Sequence, residues 1–204
     1  MTPPVVALAR ADIRRALPAV VRSFWDYEET LHLLPDERRR RHGLPRALAV
    51  DLGEAARHRM LFGATRDDAI VGVAAWLPPD AYPEPWHRML VQGLGMVPAL
   101  PWLLGTVRES LRGLSVSAQH HHSYPPHYFL RVVGVDPALQ GSGLGAALLA
   151  PGIAVADAAH APCFLFTSHR ENTSWYARAG FAVVEEFRPT PTWPTVWAMW
   201  REAV

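Results

Sequence analysis

The sequence predicts an α/β (α+β) fold organised around a central strand–loop–helix unit. Three observations carry that expectation. Short runs rich in β-branched and aromatic residues alternate with apolar runs of helical spacing. A glycine-rich turn, Gln140 to Gly145, joins the strand-like Tyr128 to Val135 to the helix-like Leu144 to Ala158. The chain has 204 residues, 50% of them hydrophobic and 19% charged, which suits one globular domain spanning 1–204 with a core of its own.

Taken in order, Val5 to Ala9 reads as a short strand, followed by Asp12 as a helix cap. Ile13 to Phe24 has helical spacing, with Pro18 expected either to kink the helix or to mark its start. Pro35 opens a second helix that runs through Arg38-Arg39-Arg40-Arg41 to about Leu48. Arg59 to Thr65 and Ala69 to Leu77 flank the turn residues Arg66-Asp67-Asp68 and form a hairpin. The stretch 79–126 is proline-rich at both ends. It holds two expected helices, near Trp86 to Leu94 and Pro101 to Leu114, the second striped by Trp102, Leu103, Val107 and Leu111. After the central unit come a buried strand at Cys163 to Thr167 and a helix at Glu171 to Ala179 capped by Gly180. Two closing strands follow at Phe181 to Phe187 and Thr195 to Trp200.

Composition narrows the function classes. The net charge is +1, without the basic excess that a nucleic-acid face needs, and the arginine run reads as a solvated helix face. The lone Cys163, inside an apolar run, reads as a core thiol rather than a nucleophile. The most apolar stretch, Met89 to Val107, is broken by glycines and prolines, so no membrane span is expected. No signal-peptide pattern opens the chain, and a cytoplasmic location is expected. His120-His121-His122 and His127 lack Cys or acidic companions and consecutive histidines diverge, so no metal site is expected.

The chemistry lies in Val132-Val133-Gly134-Val135-Asp136-Pro137-Ala138-Leu139-Gln140-Gly141-Ser142-Gly143-Leu144-Gly145. A helix N-terminus presents unpaired N–H groups and partial positive charge, and glycines let an anion approach the backbone. The turn should therefore bind phosphate or pyrophosphate. A Walker loop would need Lys and Ser or Thr where Ala146-Ala147 stand, and a dinucleotide fingerprint would need different glycine spacing.

The pattern Gln-x-x-Gly-x-Gly after a strand ending Val-Asp-Pro resembles the coenzyme motif of the GNAT acetyltransferases. It is joined by Asn172-Thr173-Ser174-Trp175-Tyr176 and Gly180-Phe181, which resemble that family's second coenzyme-contacting stretch. From Tyr128 onward the chain is similar to the puromycin N-acetyltransferase-like branch. The likeness rests on Phe129 to Val135, Pro151-Gly152, Phe164-Leu165 with Thr167-Ser168, and Trp197-x-Met199-x-Arg201. It is looser before that, around Phe24 to Tyr27 and Val73 to Pro78.

The resemblance implies a GNAT fold. That fold has a mixed central sheet of about six to seven strands flanked by helices, with the helical insertion between the third and fourth strands. It implies an acetyl-CoA-dependent N-acetyltransferase that moves acetyl directly to a primary amine of a small molecule, in antibiotic resistance or specialised metabolism. A protein or peptide acceptor and a non-catalytic CoA-binding module stand as alternatives. Partners are then acetyl-CoA and a small amine, with the chain a monomer or homodimer.

Coenzyme contacts are carried over to Val133, Val135, Gln140, Gly141, Ser142, Gly143, Leu144, Gly145, Ala146, Asn172 and Tyr176. Tyr176 is the implied general acid for the leaving thiolate, and the Val135 N–H the implied donor to the thioester carbonyl. Phe24, Tyr27, Trp76 and His127 are expected to line the acceptor pocket. Two positions depart from the pattern. Phe166 stands where relatives often carry a Glu that takes the acceptor's proton, which leaves His127, His120 to His122, Glu28, Glu29 or water to do so; His127 is placed first. Ser142 stands where relatives commonly carry Arg or Lys, with Arg170 as a possible compensating charge.

Overall fold

The computed structural model describes residues 3–79, 81 and 107–204. Strands are β1 (Val5–Ala7), β2 (Leu61–Arg66), β3 (Ala69–Leu77), β4 (Tyr128–Val135), β5 (Cys163–Thr167), β6 (Ala182–Phe187) and β7 (Val196–Arg201). Helices are α1 (Ile13–Phe24), α2 (Glu28–Leu33), α3 (Glu37–Arg57), α4 (Val107–His122), α5 (Leu144–Ala158) and α6 (Arg170–Ala177). The seven strands form one mixed sheet in the order β1-β2-β3-β4-β5-β7-β6, antiparallel except where β4 meets β5. The expected sheet and the helical segment between the third and fourth strands are both present.

Local chemistry explains the elements. Asp67 and Asp68 both take positive φ, so the β2–β3 connection is a two-residue turn whose twist matches that of the strands. Asp36 caps α3 by accepting from the Arg39 N–H at 2.8 Å. α3 runs to Arg57, past Pro45 and past its expected end, because Leu44, Leu48 and Leu52 bury on the sheet. α1 likewise passes through Pro18, held by buried Ala16, Ala19 and Val20. The short α2 was not anticipated from sequence. The arginine run is a helix face: Arg39 and Arg41 pair with Asp36 and Glu37, and Arg40 lies over the Trp25 ring at 5.2 Å. Cys163 is a buried thiol, and desolvation pushes it up to about 11.

Two apolar layers sandwich the sheet. On one face α5 (Leu144, Leu148, Leu149) packs on Leu130, Val135, Leu165 and Met199. On the other, α1 and α3 pack on Leu61, Val73 and Val132. A third cluster gathers Phe129, Phe164, Phe166, Phe187 and Tyr124 near the end of α4. Among the described residues no helix is long and apolar enough to cross a membrane. The expected helix near Trp86 to Leu94 and most of the stripe Trp102, Leu103 fall outside the described residues. Leu111, expected on that stripe as a packing residue, is 62% exposed.

Trp76, expected in an acceptor pocket, is instead fully buried beneath α5. β3 is apolar on both faces in the centre of the sheet, so a tryptophan there fills the core. The helix approaches so closely that a Cβ on Gly152 would lie 2.3 Å from the Trp76 ring. Gly152→Ala should therefore cost about 1–3 kcal/mol by overpacking. In urea titrations this appears as a lower midpoint at unchanged slope.

Candidate active site

The site begins with an irregularity in β4. Ala75 pairs with Val132 and Trp76 with Leu130, so Arg131 is an extra residue without a partner position on β3. Such a bulge breaks the ladder and bends the strand. Pairing between β4 and β5 covers only Tyr128↔Cys163, Phe129↔Phe164 and Leu130↔Leu165 and stops at the bulge. Beyond it β4 stays on β3 as far as Val135, while β5 stays on β7. A slot therefore opens between the C-terminal halves of the two parallel strands. The Asp136 N–H donates to the Val71 carbonyl at 2.9 Å, towards β3. Backbone groups alternate sides along a strand, so those of Val135 and Val133 face the slot. The Val135 carbonyl there accepts from Gln140 Nε2 at 3.2 Å.

At the head of the slot lies the glycine turn. Asp136 holds it down: one oxygen accepts from the Ala138 N–H at 3.1 Å, and the other pairs with the Arg22 guanidinium of α1. That guanidinium keeps the Asp136 carboxyl below its ordinary range. Gly141 and Gly143 have φ of 76° and 81°, a conformation that side chains resist, and the space where a Cβ would sit is open at both. The first hydrogen bond of α5 runs from the Ala147 N–H to the Gly143 carbonyl, so the N–H groups of Leu144, Gly145 and Ala146 have no acceptor inside the helix. The result is an open cradle of amides suited to an anion. The Ser142 hydroxyl donates to the Leu139 carbonyl at 2.6 Å, which turns its proton into the loop. The cradle thus relies on backbone amides, and Arg170 lies exposed at the start of α6.

The far wall is β5 with α6. Trp175 packs on Gly145 and brings α6 against the start of α5. Tyr176 is 6% exposed, edge-on to Trp175 at 4.6 Å. Burial, and then the neighbouring Tyr27, raise its phenol well above the ordinary tyrosine range, so it stays protonated. Asn172 Nδ2 donates to Thr167 Oγ1 at 3.4 Å. Tyr27 reaches the same place from the opposite face of the sheet. Its hydroxyl accepts from the Ser168 N–H at 2.8 Å and lies 3.1 Å from Thr167 Oγ1. Phe24 packs edge-on against Tyr27 at 5.4 Å and lies against Gly134.

Residues 17–181 match the Acetyltransferase (GNAT) family. The chain belongs to the GNAT acetyltransferase family. Similar solved structures include the histone acetyltransferase HPA2 and related acetyltransferase from Corynebacterium glutamicum, 22% identical over 100% of this chain and 98% of that one, with a TM-score of 0.71. The polyamine N-acetyltransferase of Drosophila melanogaster is 16% identical over 98% and 99%, at 0.62. A paia N-acetyltransferase from Thermoplasma acidophilum, solved with coenzyme A, is 14% identical over 99% of both chains, at 0.59. This GNAT chain is accordingly an acyltransferase by family.

Of the residues read from sequence, the fold brings Val133, Val135, the Gln140–Ala146 turn, Asn172, Tyr176, Tyr27 and Phe24 to one slot. It does not bring His127 there. His127 sits at the closed end of β4, eight residues from Val135, which is roughly 26 Å of strand at about 3.3 Å per residue. Its Nδ1–H donates to the Pro125 carbonyl at 2.7 Å, and its Nε2 lies 2.8 Å from His121 Nε2. Both nitrogens are occupied, so this histidine is a core group and not a proton acceptor for the slot. His120 pairs with Glu185 at 2.8 Å and stacks on Phe187 at 3.8 Å. Glu28 is exposed beside His169 at 3.6 Å. Among the described residues no group of His, Cys, Asp and Glu could hold a metal. Thr167 and Ser168 entered the sequence reading only as part of a likeness. Polar residues directly after a buried apolar strand were the signal that they end at a site.

The histidine pair yields a titration prediction. Burial, and for His121 also His127, lowers both rings, His121 to about 3. The unfolded chain takes up protons below about pH 6.5 that the native pair refuses, so stability is full above that pH and falls beneath it, by at most about 1.4 kcal/mol per pH unit for each ring. Nitrogen-detected NMR between pH 7.5 and 5.5 should show these two imidazoles remaining neutral.

Proposed function

We propose that this GNAT enzyme transfers an acetyl group from acetyl-CoA directly to the primary amine of a small molecule. The observation that carries the reading is the slot itself. Amides without helical acceptors at its head and a strand edge not paired with β5 along it support the reading, and α6, which carries the buried, protonated Tyr176, forms its far wall. Acetyl-CoA, when bound, supplies the activated acyl carbon as a thioester.

The chain's own groups divide the remaining work. The Leu144, Gly145 and Ala146 amides, at the positive end of α5, hold the pyrophosphate. The slot-facing groups of Val133 and Val135 pair with an amide-bearing chain as an added strand would, and the Val135 N–H is placed to donate to a carbonyl oxygen that gains charge. Tyr176 keeps its proton at any working pH and can give it to a departing thiolate. Fixing both reactants in one slot removes the cost of their meeting, up to about 7–11 kcal/mol.

A small acceptor is supported by how the α2 side is covered. Glu109 of α4 accepts from Thr192 Oγ1 at 2.8 Å and from Thr190, both in the β6–β7 connection. The His32 ring of α2 packs at a tilt against Trp193 of the same connection at 5.0 Å. A protein acceptor would call for an open groove instead.

Thiol release from acetyl-CoA, followed across puromycin, aminoglycosides, polyamines and peptides, should show turnover with one class of small amine. Tyr176→Phe should then lower kcat by about 10²-fold or more while acetyl-CoA affinity, measured by calorimetry, stays within a factor of two or so. Unchanged turnover would remove Tyr176 from the acid role. Gly143→Val, which forces a side chain into positive φ at the cradle, should weaken acetyl-CoA binding by at least about tenfold.

A further inference from the structure

We infer that the Ser168 hydroxyl is an acceptor-binding group. It takes a hydrogen bond from the amine nitrogen and so turns that nitrogen's lone pair towards the acyl carbon. The inference rests on the transferase reading above and names a residue within the same site.

The alternation of β5 sets the placement. Cys163 and Leu165 face the α5 layer, and Phe164 and Phe166 face the other side of the sheet. Thr167 falls on the α5 side again, where its Oγ1 accepts from Asn172 of α6 at 3.4 Å. Ser168, the next residue, falls on the side of Phe166. Tyr27 enters from that side, and the Ser168 N–H donates to its hydroxyl at 2.8 Å. β4 has left β5 by this point, because their pairing ends at Leu130↔Leu165. Ser168 therefore borders the slot on the face opposite Tyr176 and the amide cradle. An amine that meets an acyl group held from the α5 side arrives on that face.

The hydroxyl itself is unclaimed. Ser168 is 1% exposed, and its Oγ has no hydrogen-bond partner among the described residues. Its neighbours are already engaged. The Tyr27 hydroxyl accepts from the Ser168 N–H and lies 3.1 Å from Thr167 Oγ1. Thr167 Oγ1 also accepts from the His169 N–H at 3.3 Å and from Asn172 Nδ2. Burial raises the Tyr27 phenol and the adjoining Ser168 side chain lowers it, so the two hydroxyls lie side by side without an aligned bond between them. A buried hydroxyl without a partner is costly, so one kept at the wall of a reaction slot points to a ligand.

Of the groups that meet in the slot, the amine nitrogen suits this hydroxyl. In the reading above the departing sulfur is served by Tyr176 and the thioester oxygen by the Val135 N–H. The amine comes in on the Ser168 side and brings N–H donors. Phe166, on the same face of the strand, packs on Phe129, Phe164 and Phe187 and offers no acceptor. A serine oxygen has two lone pairs and can accept from that N–H. One hydrogen bond there fixes the direction of the nitrogen, which is the orientational part of bringing two reactants together. Ser168 forms no covalent bond. The C–N bond forms as the C–S bond breaks, and Tyr176 protonates the sulfur. Of the three protons on R–NH3+, one leaves for solvent before attack, one replaces the proton that Tyr176 gave, and one stays on the amide.

The test uses the full chain and the panel amine with the highest turnover. Ser168→Ala should lower kcat/KM for the amine by about tenfold, the worth of one neutral hydrogen bond. The loss should come mainly through a higher KM for the amine, with acetyl-CoA affinity within a factor of two or so of the parent's. Ser168→Cys keeps the volume but accepts hydrogen bonds poorly, and should lose a similar amount. Independently of any acceptor, the urea midpoint of Ser168→Ala should equal the parent's or exceed it, because no internal hydrogen bond of the side chain is lost. Mass spectrometry of the chain held with acetyl-CoA alone should show no acetyl group on Ser168. Parent-like amine kinetics in Ser168→Ala or Ser168→Cys overturn the inference, as does a lowered midpoint or an acetylated Ser168. If Tyr176→Phe falls in rate while Ser168→Ala keeps the parent's kinetics, only this inference fails. If the parent does not bind acetyl-CoA, the transferase reading fails and takes this one with it.

Discussion

One extra residue in β4 governs the site. Had Arg131 a partner position on β3, the parallel ladder with β5 could continue, and the amides of Val133 and Val135 would be consumed by the sheet. The bulge stops that ladder after three residue pairs. It also shifts the side-chain alternation by one, so Leu130, Val133 and Val135 all face α5 while Val132 faces α1 and α3. And it turns a guanidinium towards Asp51. Unpaired backbone groups at an internal strand edge need a partner. A slot bordered by such groups is therefore built to be filled by something with amides of its own.

The walls of a gap in a sheet are not held by the sheet, and the structure ties them by other means. On the near side, Arg22 of α1 clamps Asp136, which fixes where the glycine turn leaves β4. On the far side, Tyr27 spans from the α1–α2 junction to Ser168 and Thr167. Asn172 of α6 donates to the same Thr167. Side chains from both faces of the molecule thus converge on the end of one short strand. Buried hydroxyl and amide groups in that arrangement are satisfied only when all of its members are in register, which makes the geometry of the slot cooperative.

Much of this was legible in the chain. The strand–turn–helix at Tyr128 to Ala158 follows from period, glycine placement and helix-end chemistry, and the observed boundaries of that strand and helix match. What escaped was set by tertiary contact. α2 has six residues, too few for a periodic signal, and stands on contacts made by Tyr27, His32 and their neighbours. His127 was expected to face the splayed strand where an acceptor lies, but a sequence does not say which end of a strand pair opens. The bulge decides that, and its only trace is a charged Arg131 inside an apolar run. Trp76 could have been read correctly: a central strand apolar on both faces leaves no room for a tryptophan outside the core.

Phe166 sets the polarity of the strand wall beside the slot. It completes a wall with Phe129, Phe164 and Phe187 that excludes water and raises the cost of any isolated charge nearby. Burial pushes the Glu29 carboxyl of α2 up to about 7, and Arg131 offsets part of that rise. The bulge that opens the slot therefore also supplies a charge that tempers a buried carboxyl on the facing helix. The opening of the sheet and the charge balance on the facing helices trace back to the same residue.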